Sequence, residues 1–245
     1  MIGKGLTSNL LTYIDLTNFE VRKHLVLNES DIYIIGSPVY EGRVVNIVRE
    51  VLKNIMGKNR YIIAVIVYGN KTIGIALKQL IELLELQQWK VIAGASFIGE
   101  HSFSKVTYPI AQGRPDKLDL ELAYQFGQKA KVKYLEKSIL NSSTILGKLP
   151  LLLRILPEGM ASKTVKLPFV LDEKCTKCNL CVKICPTNCI DPITLLSKKD
   201  ACIRCAACVK ICPNKARDIE FKGKKLMQLW FRKAQYIRLE PTIYV

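Results

Sequence analysis

Two stretches decide how the second half of this chain folds: CTKCNLCVKICP (Cys175–Pro186) and CIRCAACVKICP (Cys202–Pro213). Each reads C-x2-C-x2-C-x3-C-P, and the second repeats the first 27 residues later, so one supersecondary unit occurs twice. A cubane iron–sulfur cluster needs four thiolates around a compact core. Three closely spaced cysteines on a winding loop can grip three of its irons. The fourth is expected to have entered a short helix and to point away, toward the cluster of the other motif. The spacing therefore predicts one [4Fe-4S] cluster on Cys175, Cys178, Cys181 and Cys212, and a second on Cys202, Cys205, Cys208 and Cys185. A pair of structural zinc sites is the alternative, but zinc sites usually join two C-x2-C knuckles from separate places. Cys189 is left over, three residues beyond Pro186 on the flank of the first cluster. It reads as a small packed hydrophobe, with a spare ligand or reactive thiol as the rival.

All nine cysteines fall between Cys175 and Cys212, and residues 1–174 contain none. Such clustering, without an apolar signal core at the N-terminus, points to metal rather than disulfides and to a cytoplasmic location by default. The chain has 245 residues, 49% hydrophobic and 24% charged, which suits a folded protein of one or two domains. Its longest apolar run, Tyr61 to Tyr68, is far short of the roughly 20 residues that span a bilayer. The formal charge is +16, of which residues 138–245 carry +11 (19 basic against 8 acidic). Two oxidised clusters, each about −2 with its thiolates, would leave the chain strongly basic. Its expected partners are redox proteins with an acidic docking surface. No recognition helix, zinc finger or aromatic RNA motif accompanies the charge, so nucleic acid is not expected.

The first 137 residues alternate short apolar runs with helical patterns. Leu11–Ile14, Asp31–Ile35, Tyr61–Val67 and Val91–Phe97 read as strands, the second closed by Gly36-Ser37-Pro38. Val44–Met56, Thr72–Gln88 and Asp116–Lys137 read as helices, the last capped by Asp116. This alternation predicts an α/β fold with a parallel sheet. Ligands of such sheets sit off the carboxyl ends of the strands, where Ser37–Arg43, Tyr68–Lys71 and Gly99–Ser104 emerge as loops or simple tight turns. Residues 138–168, with Pro150, Pro157 and Pro168, read as a linker. Within it LPLLLRIL (Leu149–Leu156) is expected to dock between domains or lie on a membrane surface. The tail from 221 to 245 is expected to pack back onto a domain.

Residues 169–220 resemble the bacterial-type two-cluster ferredoxins, which implies a small pseudo-symmetric α+β fold and one-electron transfer. Residues 1–137 are similar to a flavodoxin domain of the kind fused to such a ferredoxin in many anaerobes. GSPVYEGR (Gly36–Arg43), YGN (Tyr68–Asn70), GEHSFS (Gly99–Ser104) and AQGRPD (Ala111–Asp116) carry that likeness. It implies strand order 2-1-3-4-5 and FMN at the carboxyl edge. There Ser37, Tyr40, Gly42, Gly69, Asn70 and His101 would flank the flavin, with Tyr40 stacking on the ring. The sequence departs from the family at its start, where the first strand and phosphate loop are missing. That is roughly 25 residues, judged from a β–loop–α unit. Gly3 to Ser8 is loop-like, but no strand precedes it. A misplaced start or a shortened chain is favoured over a degenerate gene, and the chain as given is expected to hold FMN weakly.

The expected function is electron transfer through two [4Fe-4S] clusters, exchanging electrons with an FMN site in a full-length form. Two rivals stand beside it: a flavin-dependent oxidoreductase fed by its own ferredoxin domain, and an assembly protein that uses its clusters structurally. No Ser-His-Asp set, H-E-x-x-H or P-loop lysine supports a hydrolase or kinase.

Overall fold

The structure is a computed structural model that describes residues 1–7, 10–149, 151–155, 158–159 and 161–245. In chain order its helices are α1 (Ile2–Leu6), α2 (Phe19–Lys23), α3 (Asn46–Lys53), α4 (Ala76–Leu86), α5 (Lys117–Leu135), α6 (Leu151–Ile155), α7 (Leu180–Lys183), α8 (Ala207–Lys210) and α9 (Lys224–Tyr236). Its strands are β1 (Ile32–Tyr40), β2 (Arg43–Val44), β3 (Tyr61–Tyr68), β4 (Lys90–Ile98), β5 (Phe169–Val170), β6 (Arg217–Asp218) and β7 (Thr242–Tyr244). Two units emerge. One comprises Met1–Thr12, Asn28–Pro157 and Ala234–Val245; the other comprises Tyr13–Leu27 and Glu158–Lys233.

The first unit is built on β3, whose continuous apolar run is explained by cover on both faces. Ile63 and Val65 join Ala93, Ala95 and Phe97 of β4 in a core with Leu6 of α1 and Ala123, Phe126 and Ala130 of α5. Successive side chains of a strand point to opposite faces. At Gly94 the opposite face meets Leu77 and Ile81 of α4, so that helix covers the other side. The five-residue helix α1 lies against α5 through glycines. A Cβ at Gly5 would stand 2.0 Å from the Tyr124 carbonyl oxygen, and one at Gly127 would stand 2.1 Å from that of Ile2. The loop-like Gly3–Leu6 stretch is thus a helix that needs backbone-to-backbone approach.

β1, β3 and β4 run parallel, as expected from the alternation. β2 and β7 add to the two edges antiparallel, so the five-stranded sheet, in order β2-β1-β3-β4-β7, is mixed rather than purely parallel. Leu11–Ile14 does not form the expected strand. Leu10 and Tyr13 are exposed, and a lone short strand would leave its N–H and C=O groups unpaired. The outer edge of β1 from Ile32 to Pro38 consequently carries no strand partner among the described residues. Gly36-Ser37-Pro38 does not close the second strand; β1 runs through it, with Ser37 opposite Ile66 and Pro38 opposite Val67. Pro38 has no N–H to donate, and an edge strand tolerates it. α3 starts at Asn46 because Arg43 and Val44 are drawn into the hairpin with β1. α4 starts at Ala76, after Gly74 takes a positive φ and its N–H bonds Thr72 Oγ1.

Residues 138–149 lie on this unit as well: the Leu140 N–H donates to Val91 O, and Ile145 is buried. Leu149 packs on Gly42, while Pro150 and Leu156 of the apolar stretch, and Pro157 after it, lie outside the described residues. Among the described residues no helix is long and apolar enough to cross a membrane.

The C-terminal residues are tied across the sheet by polar contacts. β7 pairs with β4, and the Thr242 N–H donates to Ser96 Oγ. Asn70 Nδ2 donates to the carbonyls of Ala234 (2.9 Å) and Ile237 (2.5 Å), and its Oδ1 accepts from the Leu239 N–H. Arg114 forms a buried ion pair with Asp119 and donates to Leu239 O. Asp116 caps α5 through a capping box and pairs with Arg238, whose hydrogen bond holds the Asp116 carboxyl well below the usual carboxylate range.

These contacts generate two predictions. Arg114→Ala removes the nearer cation from buried Asp119 and leaves Arg238 at 3.8 Å, so it should destabilise the chain by about 3 kcal/mol, read as a lowered midpoint in urea. Asn70→Ala strands the Ala234 and Ile237 carbonyls, at a cost of about 1–3 kcal/mol. Hydrogen exchange should show faster opening of Thr242–Tyr244 while the β3 amides keep their protection.

Candidate metal centre

The second unit repeats itself. β5 and β6 pair antiparallel, with Val170 opposite Arg217. The equivalent residues 27 positions away, Ser197 and Ile190, form the matching bridge. The Leu171 N–H donates to Ala216 O and the Lys198 N–H to Cys189 O, again one bond seen twice. Helices α7 and α8 occupy equivalent places and touch each other.

Each cysteine loop winds through two left-handed residues: Lys177 and Asn179 in the first, Arg204 and Ala206 in the second. No glycine occupies these four positions, so side chains bear a conformation that usually favours glycine. Cys181 lies inside α7 and Cys208 inside α8. The fourth cysteine of each motif lies just past the helix end, rather than within the helix as expected from the sequence. One helical turn therefore separates the third thiol from the fourth.

The thiols gather into two sets. Cys175, Cys178, Cys181 and Cys212 line one hollow, with Pro213, Ala216 and Arg217 in its wall. Cys185, Cys202, Cys205 and Cys208 line the other, with Pro186, Cys189 and Ile190 at the equivalent places. Each hollow takes three cysteines from one motif and the last from the other.

Backbone amides point at the crossing sulfurs. The Ala216 N–H donates to Cys212 Sγ at 3.2 Å and the Cys189 N–H to Cys185 Sγ at 3.4 Å. Burial pushes the Cys205 thiol up to about 11. Cys185 moves the other way: burial opposes ionisation, but bonds from Cys189 and Thr187 outweigh it. Cys189 lines the second hollow, not the flank of the first, with its Sγ 3.5 Å from Cys185 Sγ. Burial pushes its thiol up to about 12, and its equivalent in the other repeat is Ala216.

Arg22, from the N-terminal segment of this unit, donates to Leu16 O, Thr17 O and Pro186 O. Neither Arg22 nor Arg217 stood out in the sequence. For Arg217 a signal was present, since aligning the two repeats sets a cation against Ile190.

The residues proposed for a flavin are distributed over the first unit. Ser37 is buried in β1 and donates to Pro38 O. Tyr40 ends β1 opposite Arg43, and Gly42, at a positive φ, packs on Gly74. A Cβ at Gly69 would stand 2.4 Å from the His101 ring, so these two are brought together. His101 Nδ1 accepts from the Phe103 N–H. Asn70 is buried with both amide hydrogens donated to the C-terminal segment.

Comparison with known families agrees with the cysteine geometry. Residues 168–191 match a 4Fe-4S binding domain family, and residues 199–215 match a second family of the same description. Neither the curated proteins nor the solved structures give a match to the chain.

Proposed function

We propose that this protein is a one-electron carrier. Cys175, Cys178, Cys181 and Cys212 hold one [4Fe-4S] cluster, and Cys202, Cys205, Cys208 and Cys185 hold the other. The observation that carries this reading is the exchange of the fourth thiol between the two hollows. A single tetrahedral zinc ion needs its sulfurs about 2.3 Å from one point. Among the described residues no three His, Cys, Asp or Glu side chains are placed to hold a single metal ion. Thiols spread around a hollow fit a multi-iron core instead.

When bound, such clusters accept and release single electrons. The chain supplies the thiolates, the amide hydrogens on Cys185 and Cys212, and a largely apolar wall. Its charge of +16 supports acidic redox proteins as partners. Asn70 argues against FMN at the sheet edge, because its two amide hydrogens are already donated to protein carbonyls.

Protein purified without oxygen should contain about eight iron and eight sulfide per chain, reducible one electron at a time by EPR. A colourless preparation with stoichiometric zinc would refute the reading. The pairing has its own test. Cys185→Ser combined with Cys202→Ser should leave about four irons, whereas Cys185→Ser combined with Cys175→Ser should disturb both clusters. Cys189→Ala copies the other repeat and should leave iron content unchanged; loss of a cluster would make Cys189 a ligand.

A further inference from the structure

Arg217 lies in β6 with 3% of its surface exposed. Its equivalent, Ile190, is buried too, and the two make matching strand bridges. A guanidinium therefore stands where the other repeat has a branched hydrocarbon. Nη1 donates to Leu195 O at 2.8 Å and lies 3.8 Å from Cys181 Sγ, while Nη2 donates to Ser197 Oγ at 3.1 Å. Ser197 itself lines the second hollow. Nε is buried with no partner, and the residue forms part of the first hollow's wall. None of these partners is a carboxylate.

Burying a cation without a counter-charge is strongly unfavourable. Among the described residues the ionisable group within hydrogen-bonding reach of Arg217 is Cys181, a ligand of the first set, and the bond to Ser197 carries the guanidinium to the wall of the second. Cys181 would be a thiolate in a loaded protein. We propose that Arg217 is the internal counter-cation of the two cluster sites and shifts them toward the reduced state, an inference that rests on the iron–sulfur reading above. The physical basis is electrostatic. One electron delivered by a donor protein takes a four-thiolate cubane from about −2 to about −3, and a fixed cation favours the more negative form.

The test compares Arg217→Met and Arg217→Lys with wild type in the full chain. Iron is counted first, and each cluster is then titrated anaerobically by EPR. In iron-replete Arg217→Met, the reduced-to-oxidised ratio at fixed ambient potential should fall at least tenfold for the more affected cluster. Tenfold corresponds to 59 mV for a one-electron couple. Arg217→Lys keeps the charge and should stay within threefold of wild type. Loss of iron in Arg217→Met with retention in Arg217→Lys, at the wild-type potential, would also support a charge role. Loss of iron in both variants, an equal shift in both, or a shift below tenfold in iron-replete Arg217→Met would overturn it. Wild-type protein without iron and sulfide would instead refute the underlying cluster assignment, before any variant is compared.

Discussion

Each cysteine motif is incomplete without the other, and that mutual dependence governs the second unit. The third thiol of a motif sits in a helix and the fourth sits just beyond it, so a single helical turn sends them to different hollows. The two halves cannot drift apart without breaking both sets of four. Short paired strands and two four-residue helices would be a meagre frame by themselves. The ligation proposed across the repeats would supply the closure that a small hydrophobic core cannot.

The sheet unit obeys a different rule. Its centre is held by β3 and β4, buried on both faces, and its far edge is finished by the chain's own C-terminal segment. That segment is fastened mainly through polar groups: an asparagine amide, a buried ion pair and a helix cap. The loops at the carboxyl ends of the strands therefore spend part of their hydrogen-bonding capacity on protein. Asn70 is the clearest case, because the side chain expected to face a ligand faces backbone instead.

The cysteine spacing and the apolar run YIIAVIVY were legible without a structure, because each reflects a local constraint that leaves a pattern. So was the cap at Asp116, where side chain and helix start are adjacent in sequence. What escaped reading depends on distant partners. Leu11–Ile14 has strand-like composition, but a strand exists only where a neighbour accepts its hydrogen bonds. β7 is three residues long and gains its identity from β4, nearly 150 positions earlier in the chain. Cys189 was seen but placed against the wrong hollow, because the exchange of Cys185 carries its neighbours with it. Arg217 was hidden by its ordinary residue type in a lysine- and arginine-rich region.

The chain passes between the two units four times, after Thr12, Leu27, Pro157 and Lys233. This path fixes an order on biosynthesis. The strand that finishes the sheet leaves the ribosome only after every cysteine has emerged. The edge of β4 thus stays open until the whole cysteine array has been synthesised, and the sheet is completed only once every thiol is available.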